Sequence, residues 1–119
     1  MTNVTESLER LLELPGARSA ALVDSATGMV LGHAGSADDL EITAAANTEV
    51  VRAQLKSIGT LGSKDAIDDI LITLSTQYDI VRPLAVNPSI FLYLAMDKKK
   101  SNLALARHRA AECEKQLEL

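Results

Sequence analysis

The chain has 119 residues, of which 47% are hydrophobic and only three are aromatic, and its formal net charge is −4. This composition predicts one folded domain over residues 1–119 and argues against a nucleic-acid partner, which would need a basic stripe or stacking rings. Cys113 is the single cysteine, so no disulfide framework forms within the chain. The sequence shows no secretory signal and no apolar run of membrane length, which predicts a cytoplasmic protein without membrane insertion.

The first predicted element is a short helix. Asn3 followed by Glu6 fits an N-terminal capping pair, with Asn3 as the N-cap. Apolar residues then recur at helical spacing up to Leu12. Pro15-Gly16 ends this helix, because proline cannot continue it and glycine accepts the left-handed conformation that follows a helix.

Two antiparallel strands and a long helix follow. A four-residue loop separates the strands, and Gly28 in this loop supplies the positive φ that such a connection needs. Ser36, with Asp39 three residues later, marks the start of the second helix, and Gly59 stops it. The predicted bounds are 17–24 and 29–33 for the strands and about 36–58 for the helix.

Three further strands and a last helix complete the order. Pro83 conflicts with a strand because it lacks a ladder donor, so we expect a bulge or an outward-facing position there. The turn at Asn87-Pro88-Ser89 precedes an apolar strand without alternation, which belongs at the centre of a sheet. Ser101 is the expected cap of the last helix, whose apolar stripe includes Cys113. The predicted bounds are 70–75, 80–86 and 90–96 for the strands, with a turn over 76–79.

The element order predicts an α/β fold of the α+β type, α-β-β-α-β-β-β-α, with a five-stranded, mostly antiparallel sheet and helices on both faces. The motifs that carry a family likeness are Leu8, Leu11-Leu12, Pro15-Gly16, Ala20–Asp24, Gly28–Leu31, Asp39–Glu41, Ala44–Ala46, Leu61-Gly62, Leu92–Leu94 and Asn102–Arg107. In this order they resemble the roadblock family, which includes dynein light chains and regulators of small Ras-like GTPases. The resemblance implies a single roadblock domain of the bacterial type, with a roadblock/profilin-like sandwich, that forms a homodimer.

The second helix has two apolar stripes when each residue is turned by 100°. One stripe, with the larger residues, is expected to face the sheet: Leu40, Ala44, Val51, Leu55 and Ile58. The second lies roughly opposite: Ile42, Ala46, Val50 and Ala53. Alanines alone could simply favour a helix, but β-branched residues are poor surface helix formers, so the second stripe favours a protein contact.

The resemblance implies that the second helices of two copies lie side by side in a dimer. It also implies that the third strands of the two copies form hydrogen bonds along their edges. The predicted dimer interface is Ile42, Ala46, Val50, Ala53, Ile70, Ile72 and Leu74. The polar residues placed at the rim of the resulting platform form the predicted partner surface: Glu41, Thr48, Arg52 and Lys56.

No constellation of residues indicates an enzyme. His33 and His108 lie on different elements without metal-ligand spacing, and Glu112 and Glu114 would raise the pKa of the Cys113 thiol. The segment 59–64 departs from a phosphate loop in spacing and order, and the paired acids at 38–39 and 68–69 fit solvated loops better than a cation site. We therefore expect no catalytic residue, no cofactor and no metal.

Three functions remain open at this point. The first is a non-catalytic dimer that binds and regulates a small Ras-like GTPase, with Arg18, Arg52 and Arg82 as formal candidates for an arginine finger. The second is a small-ligand sensor. The sheet-facing residues argue against it, because they are plain aliphatics without a convergent set of polar groups. The third is an architectural light chain that binds an extended peptide. The basic run at 98–100 lies before the last helix, where the helix dipole disfavours cations. A solvated turn accounts for it, and it is the next partner surface to test.

Overall fold

The computed structural model describes residues 2–36 and 39–117. All eight predicted elements are present in the predicted order. They are α1 (Thr2–Leu11), β1 (Ala17–Asp24), β2 (Met29–Gly35), α2 (Leu40–Thr60), β3 (Ile70–Thr73), β4 (Gln77–Pro83), β5 (Ile90–Asp97) and α3 (Leu103–Gln116).

The five strands form one antiparallel sheet in the order β2-β1-β5-β4-β3. β5 lies at the centre, and its residues from Phe91 to Met96 are all buried. This confirms the position predicted from its unbroken apolar sequence, because a strand covered on both faces needs no polar side. β2 and β3 are the two edges of the sheet.

The sheet separates two hydrophobic cores. α1 and α3 cover one face, where Leu8 and Ala110 pack against side chains such as Leu92. α2 covers the other face, where Val51 packs against a cluster that includes Phe91. The predicted α+β class, with helices on both faces, is therefore confirmed. Along the stretches that the structure describes, no helix is both long and apolar enough to span a membrane.

The bounds of α1 differ from the prediction at both ends. The helix begins at Thr2, so Asn3 lies within it and is not the N-cap. It ends at Leu11, and the following amides bond only three residues back, as the Leu14 amide does to the Leu11 carbonyl at 3.1 Å. These tighter bonds end the helix before the proline does. Gly16 still has the expected left-handed conformation, with φ 83°.

The starts of α2 and α3 also differ from the prediction. α2 begins after Asp39, which has φ 57° and no side-chain capping bond, so the predicted start at Ser36 is wrong. It continues through Gly59, where the helix is exposed and a glycine is tolerated. The N-cap of α3 is Asn102 and not Ser101, because the Asn102 carboxamide accepts the amide of the third helical residue at 3.0 Å.

The hairpin of β3 and β4 is shifted towards the N-terminus. β3 ends at Thr73, and β4 begins and ends three residues earlier than predicted. The turn lies just after β3, where the Leu74 amide donates to the Gln77 carbonyl at 2.8 Å. Pro83 is consequently the last residue of β4, opposite Phe91, so the missing ladder donor falls at a strand end and no bulge is needed.

Candidate functional site

α2 buries one face against the sheet. Its buried residues are Ala44, Asn47, Thr48 and Val51, which follow the i, i+3, i+4, i+7 spacing of a single helical face. The sequence identified Ala44 and Val51 but not the two polar residues between them. Their spacing from Ala44 and Val51 could have identified them, because all four residues fall on one face of the helix. Asn47 adapts to this position by donating from Nδ2 to the Thr43 carbonyl at 3.0 Å.

The second apolar stripe of α2 is uncovered in the single chain. Ile42 is 69% exposed, Ala46 and Ala53 are exposed, and Val50 is half-buried. The stripe therefore contributes little to the core of its own domain. Small side chains at Ala46 and Ala53 leave room for the backbone of another helix.

β3 adds a free edge on one side of the sheet. The strand pairs with β4 on one side only, and it forms the end of the sheet. Ile70 and Ile72 are half-buried and share a face, and Ile70 packs into the core beneath α2. Leu74, which was predicted in the strand, lies in the turn and is 46% exposed.

The residues of the predicted partner surface do not form one exposed set. Glu41 and Lys56 are exposed. Thr48 is buried, 3% exposed, and its hydroxyl has no hydrogen-bond partner, so its placement at the rim is wrong. The physical reason is that α2 buries a wider face than its aliphatic stripe, and Thr48 falls within that face.

Arg52 is bound to the loop between β1 and β2. Its Nε donates to the Ser25 carbonyl and its Nη2 to the Ala26 carbonyl, both at 2.8 Å. The guanidinium therefore ties α2 to the loop instead of projecting freely from the helix.

The two other arginines weighed as arginine fingers are also engaged within the chain. Arg18 donates to the Gln77 carboxamide at 2.8 Å and to the Asp97 carboxylate at 2.9 Å. Arg82 donates from Nε to Glu114 at 2.6 Å in an ion pair that is largely buried. This pair gives Glu114 a structural role near the C-terminal end of α3, where the helix dipole disfavours an acid.

A polar network crosses the face of the sheet that α2 covers. Asp79 is buried and accepts hydrogen bonds from the Tyr93 hydroxyl at 3.1 Å and from the Gln77 carboxamide at 2.7 Å. Burial, with the nearby Asp79 charge and its hydrogen bond, raises the pKa of the Tyr93 hydroxyl above its ordinary value. The tyrosine thus stays a neutral donor, and the network fixes the central strands. Sequence reasoning missed this network, since Tyr93 lies on a different strand from Gln77 and Asp79 and the turn was predicted at 76–79.

The nucleophilic and metal-binding candidates are not assembled into a site. Burial raises the pKa of the Cys113 thiol to about 11; the Arg10 charge opposes this shift, and the smaller effect of the Glu114 charge adds to it. The predicted direction is confirmed, but its main cause is burial and not the neighbouring glutamates. His33 and His108 are exposed. Over residues 2–36 and 39–117, no three His, Cys, Asp or Glu side chains are grouped as metal ligands.

The acidic pairs and the basic run have local roles where the structure describes them. Asp69 accepts two hydrogen bonds from Arg107, at 2.8 and 2.9 Å. Asp38 of the other acidic pair lies outside the described residues. In the turn before α3, the Asp97 carboxylate accepts the amides of Lys99 and Lys100 at 2.9 and 3.2 Å.

The fold resembles solved structures more clearly than the sequence resembles known families. No protein-family model matches the sequence, and no curated protein matches it significantly. Myxococcus xanthus MglB superposes with a TM-score of 0.86 at 18% identity, over 98% of this chain and 92% of that chain. A Roadblock/LC7 domain from Streptomyces avermitilis has a TM-score of 0.81 at 16% identity, over 92% and 90% of the two chains. A further MglB structure, with a tetrameric arrangement, has a TM-score of 0.80 at 20% identity, over 95% and 83%.

Proposed function

We propose, from the roadblock/LC7 fold of this chain, that it is a single-domain cytoplasmic homodimer that binds and regulates a small Ras-like GTPase without catalysing a reaction itself. The observation that carries the proposal is the uncovered apolar stripe of α2; the free edge of β3 is a second surface open to another copy. The GTPase partner rests on the resemblance to the roadblock family, which includes regulators of such GTPases.

A second copy of the chain fits the stripe because the same surface can be self-complementary. In a two-fold interface each residue of one copy meets the same surface of the other. Two α2 helices packed side by side would bury Ile42, which is 69% exposed, in both copies. Full burial of a side chain of this size contributes about 1.5–3 kcal/mol. Pairing of the two β3 edges would add main-chain hydrogen bonds and remove an unpaired strand edge.

The GTPase is expected on the polar flank of α2, between the stripe and the face that the helix buries against the sheet. Glu41 and Lys56 are exposed charges of this flank, and a two-fold dimer would present the flank twice. Arg18, Arg52 and Arg82 are all engaged within the chain. We therefore expect regulation to work by positioning the GTPase's own residues and not through an arginine finger from this chain.

The test measures association with the small Ras-like GTPases of the same genome, each loaded with GDP or a GTP analogue, by surface plasmon resonance at low and high salt. Lys56→Glu should slow association and leave the lifetime of the complex and the dimer intact, since rim charges act mainly on encounter. Lys64→Glu is the matched control, because Lys64 is exposed in the loop after α2. Arg52 is unsuitable for this test, since its loss would also release the loop.

Two results would contradict the proposal. If none of the GTPases binds the wild-type chain in either nucleotide state, the partner is wrong. If a GTPase binds and Lys56→Glu behaves like Lys64→Glu, the binding flank is wrong, and the basic run at 98–100 is the next surface to test.

A further inference from the structure

A cavity of about 290 Å³ lies at the C-terminal end of α2, away from the uncovered stripe. Its position is defined by three segments: the last turns of α2, the connection to β3, and the end of β4 with the turn that follows. The side chains that give it an apolar wall are Leu55, Ile58, Ile67, Pro83, Leu84 and Pro88. A largely apolar concavity with a few polar groups is typical of small-ligand sites, which start at roughly 300 Å³.

The first polar group of this cavity is a guanidinium with unused donors. Arg82 lines the cavity, and its side chain is only 19% exposed. Its Nε donates to one oxygen of Glu114, and the other oxygen accepts the Ala85 amide at 2.7 Å. Glu114 is thereby occupied, whereas the two terminal nitrogens of Arg82 have no acceptor in the part of the chain that the structure describes.

The second polar group is a pair of carboxylates. Asp65 and Asp68 line the cavity from the connection between α2 and β3, and both residues are exposed. Neither forms a close ion pair within the described residues, whereas the neighbouring Asp69 is bound to Arg107, whose charge also interacts with Asp68 at longer range. The cavity therefore presents donors and negative charge as well as an apolar wall.

This combination selects the charge type of a ligand. A simple anion could bond to Arg82 but would meet the charges of Asp65, Asp68 and Glu114. A simple cation would suit the two aspartates but would be repelled by the charge of the Arg82 guanidinium. A zwitterion with an apolar body satisfies both.

We propose that this cavity binds a small apolar α-amino acid. Its carboxylate accepts hydrogen bonds from the terminal nitrogens of Arg82, as guanidinium and carboxylate geometries match. Its ammonium group faces Asp65 and Asp68, and its side chain packs on the wall formed by α2 and Ile67. The site does not depend on dimerisation or on a GTPase.

The experiment titrates the full ¹⁵N-labelled chain with three probes of one shape: L-leucine, 4-methylpentanoate without the ammonium group, and 3-methylbutylamine without the carboxylate. L-leucine should cause saturable shifts of the amides of Ile58, Ile67 and Leu84. Each analogue should bind at least about tenfold more weakly, a loss of about 1.4 kcal/mol. Absence of saturation by L-leucine at about 10 mM, or equal affinity of either analogue, would overturn the proposal.

Two variants place the binding at this cavity. Ala66→Trp should abolish the shifts, because Ala66 is an exposed lining residue and the indole would fill the opening. Asp68→Asn should weaken the binding of L-leucine more than the binding of 4-methylpentanoate. Glu49 is an exposed acid on α2, and Glu49→Gln should change the affinity for neither ligand. If the Ala66→Trp protein has a native spectrum and still binds L-leucine, the ligand binds elsewhere on the chain and the proposed site is refuted.

Discussion

Val50→Glu is the sharpest perturbation of the proposed dimer. Val50 is half-buried in the single chain and lies within the second stripe of α2, between Ala46 and Ala53. Glutamate is a better helix former than valine, so the helix itself should not be weakened. A two-fold interface contains the substitution twice, once from each copy, and both carboxylates would lose water against apolar partners.

The magnitude follows from the cost of an unpaired buried charge, about 3 kcal/mol for each copy. Two copies give about 6 kcal/mol, which raises the dissociation constant by about ten thousandfold. A dimer with a nanomolar dissociation constant would then dissociate at micromolar protein. Sedimentation equilibrium at micromolar concentration should show a mass near 12.7 kDa for the variant and twice that for the wild type.

Ala45→Glu is the matched control for this experiment. Ala45 is exposed on the polar side of α2 that also carries Glu41, so the substitution adds the same charge outside the four residues of the stripe. The Ala45→Glu protein should remain a dimer, with an unchanged circular dichroism spectrum. A fully dimeric Val50→Glu protein would show that the stripe is not the interface, and a monomeric wild type would remove the dimer altogether.

Three further predictions concern the chain by itself. Asn102→Ala should lower the free energy of unfolding by about 1 kcal/mol, or Tm by about 4 °C, whereas Ser101→Ala should not lower it, since the Ser101 hydroxyl is buried without a partner. Cys113, with its pKa raised to about 11, should react with iodoacetamide at pH 8 about a hundredfold more slowly than in the denatured chain; equal rates would contradict its burial. Glu114→Gln should lower the free energy of unfolding, measured by chemical denaturation, by about 2–3 kcal/mol, because the amide keeps only one of the two acceptor oxygens. Glu112 is half-exposed, so Glu112→Gln should lower it by less than about 0.5 kcal/mol. Similar losses in the two variants would show that the pair of Arg82 and Glu114 is only a surface contact.

The order of the elements could be predicted because each depends on a local pattern. β5 has an unbroken apolar sequence, and its central place in the sheet follows from that alone. The caps could not be chosen in the same way, since Ser101 and Asn102 are both good capping residues and only the path of the chain decides which side chain reaches the helix. The turn before β4 was misplaced for a related reason. Gln77 and Tyr78 fit a turn or a strand equally in sequence, and their partners on β5 decide.

The candidate surfaces were predictable only where the residues were apolar. The stripe of α2 appears directly in the spacing of Ile42 and Val50. Thr48 was placed among the polar residues of the rim from its angle on the helical wheel, which did not show how wide the buried face is. The cavity at the end of α2 was not predicted at all. Its polar groups come from β4 and from the connection before β3, and no sequence pattern brings Arg82 near Asp68.

The small apolar core between α2 and the sheet has a consequence for how the protein responds to its own concentration. Only four of the 21 residues of this helix are buried, and the core beneath it includes three alanines, Ala21, Ala44 and Ala95. A helix held by so little apolar area opens at a lower free energy than the rest of a domain. Association through its outer stripe would close it by mass action. Amide exchange in α2 should then slow as total protein rises, while exchange in α1 and α3 stays constant, so that the cellular level of the chain sets the rigidity of its own binding helix.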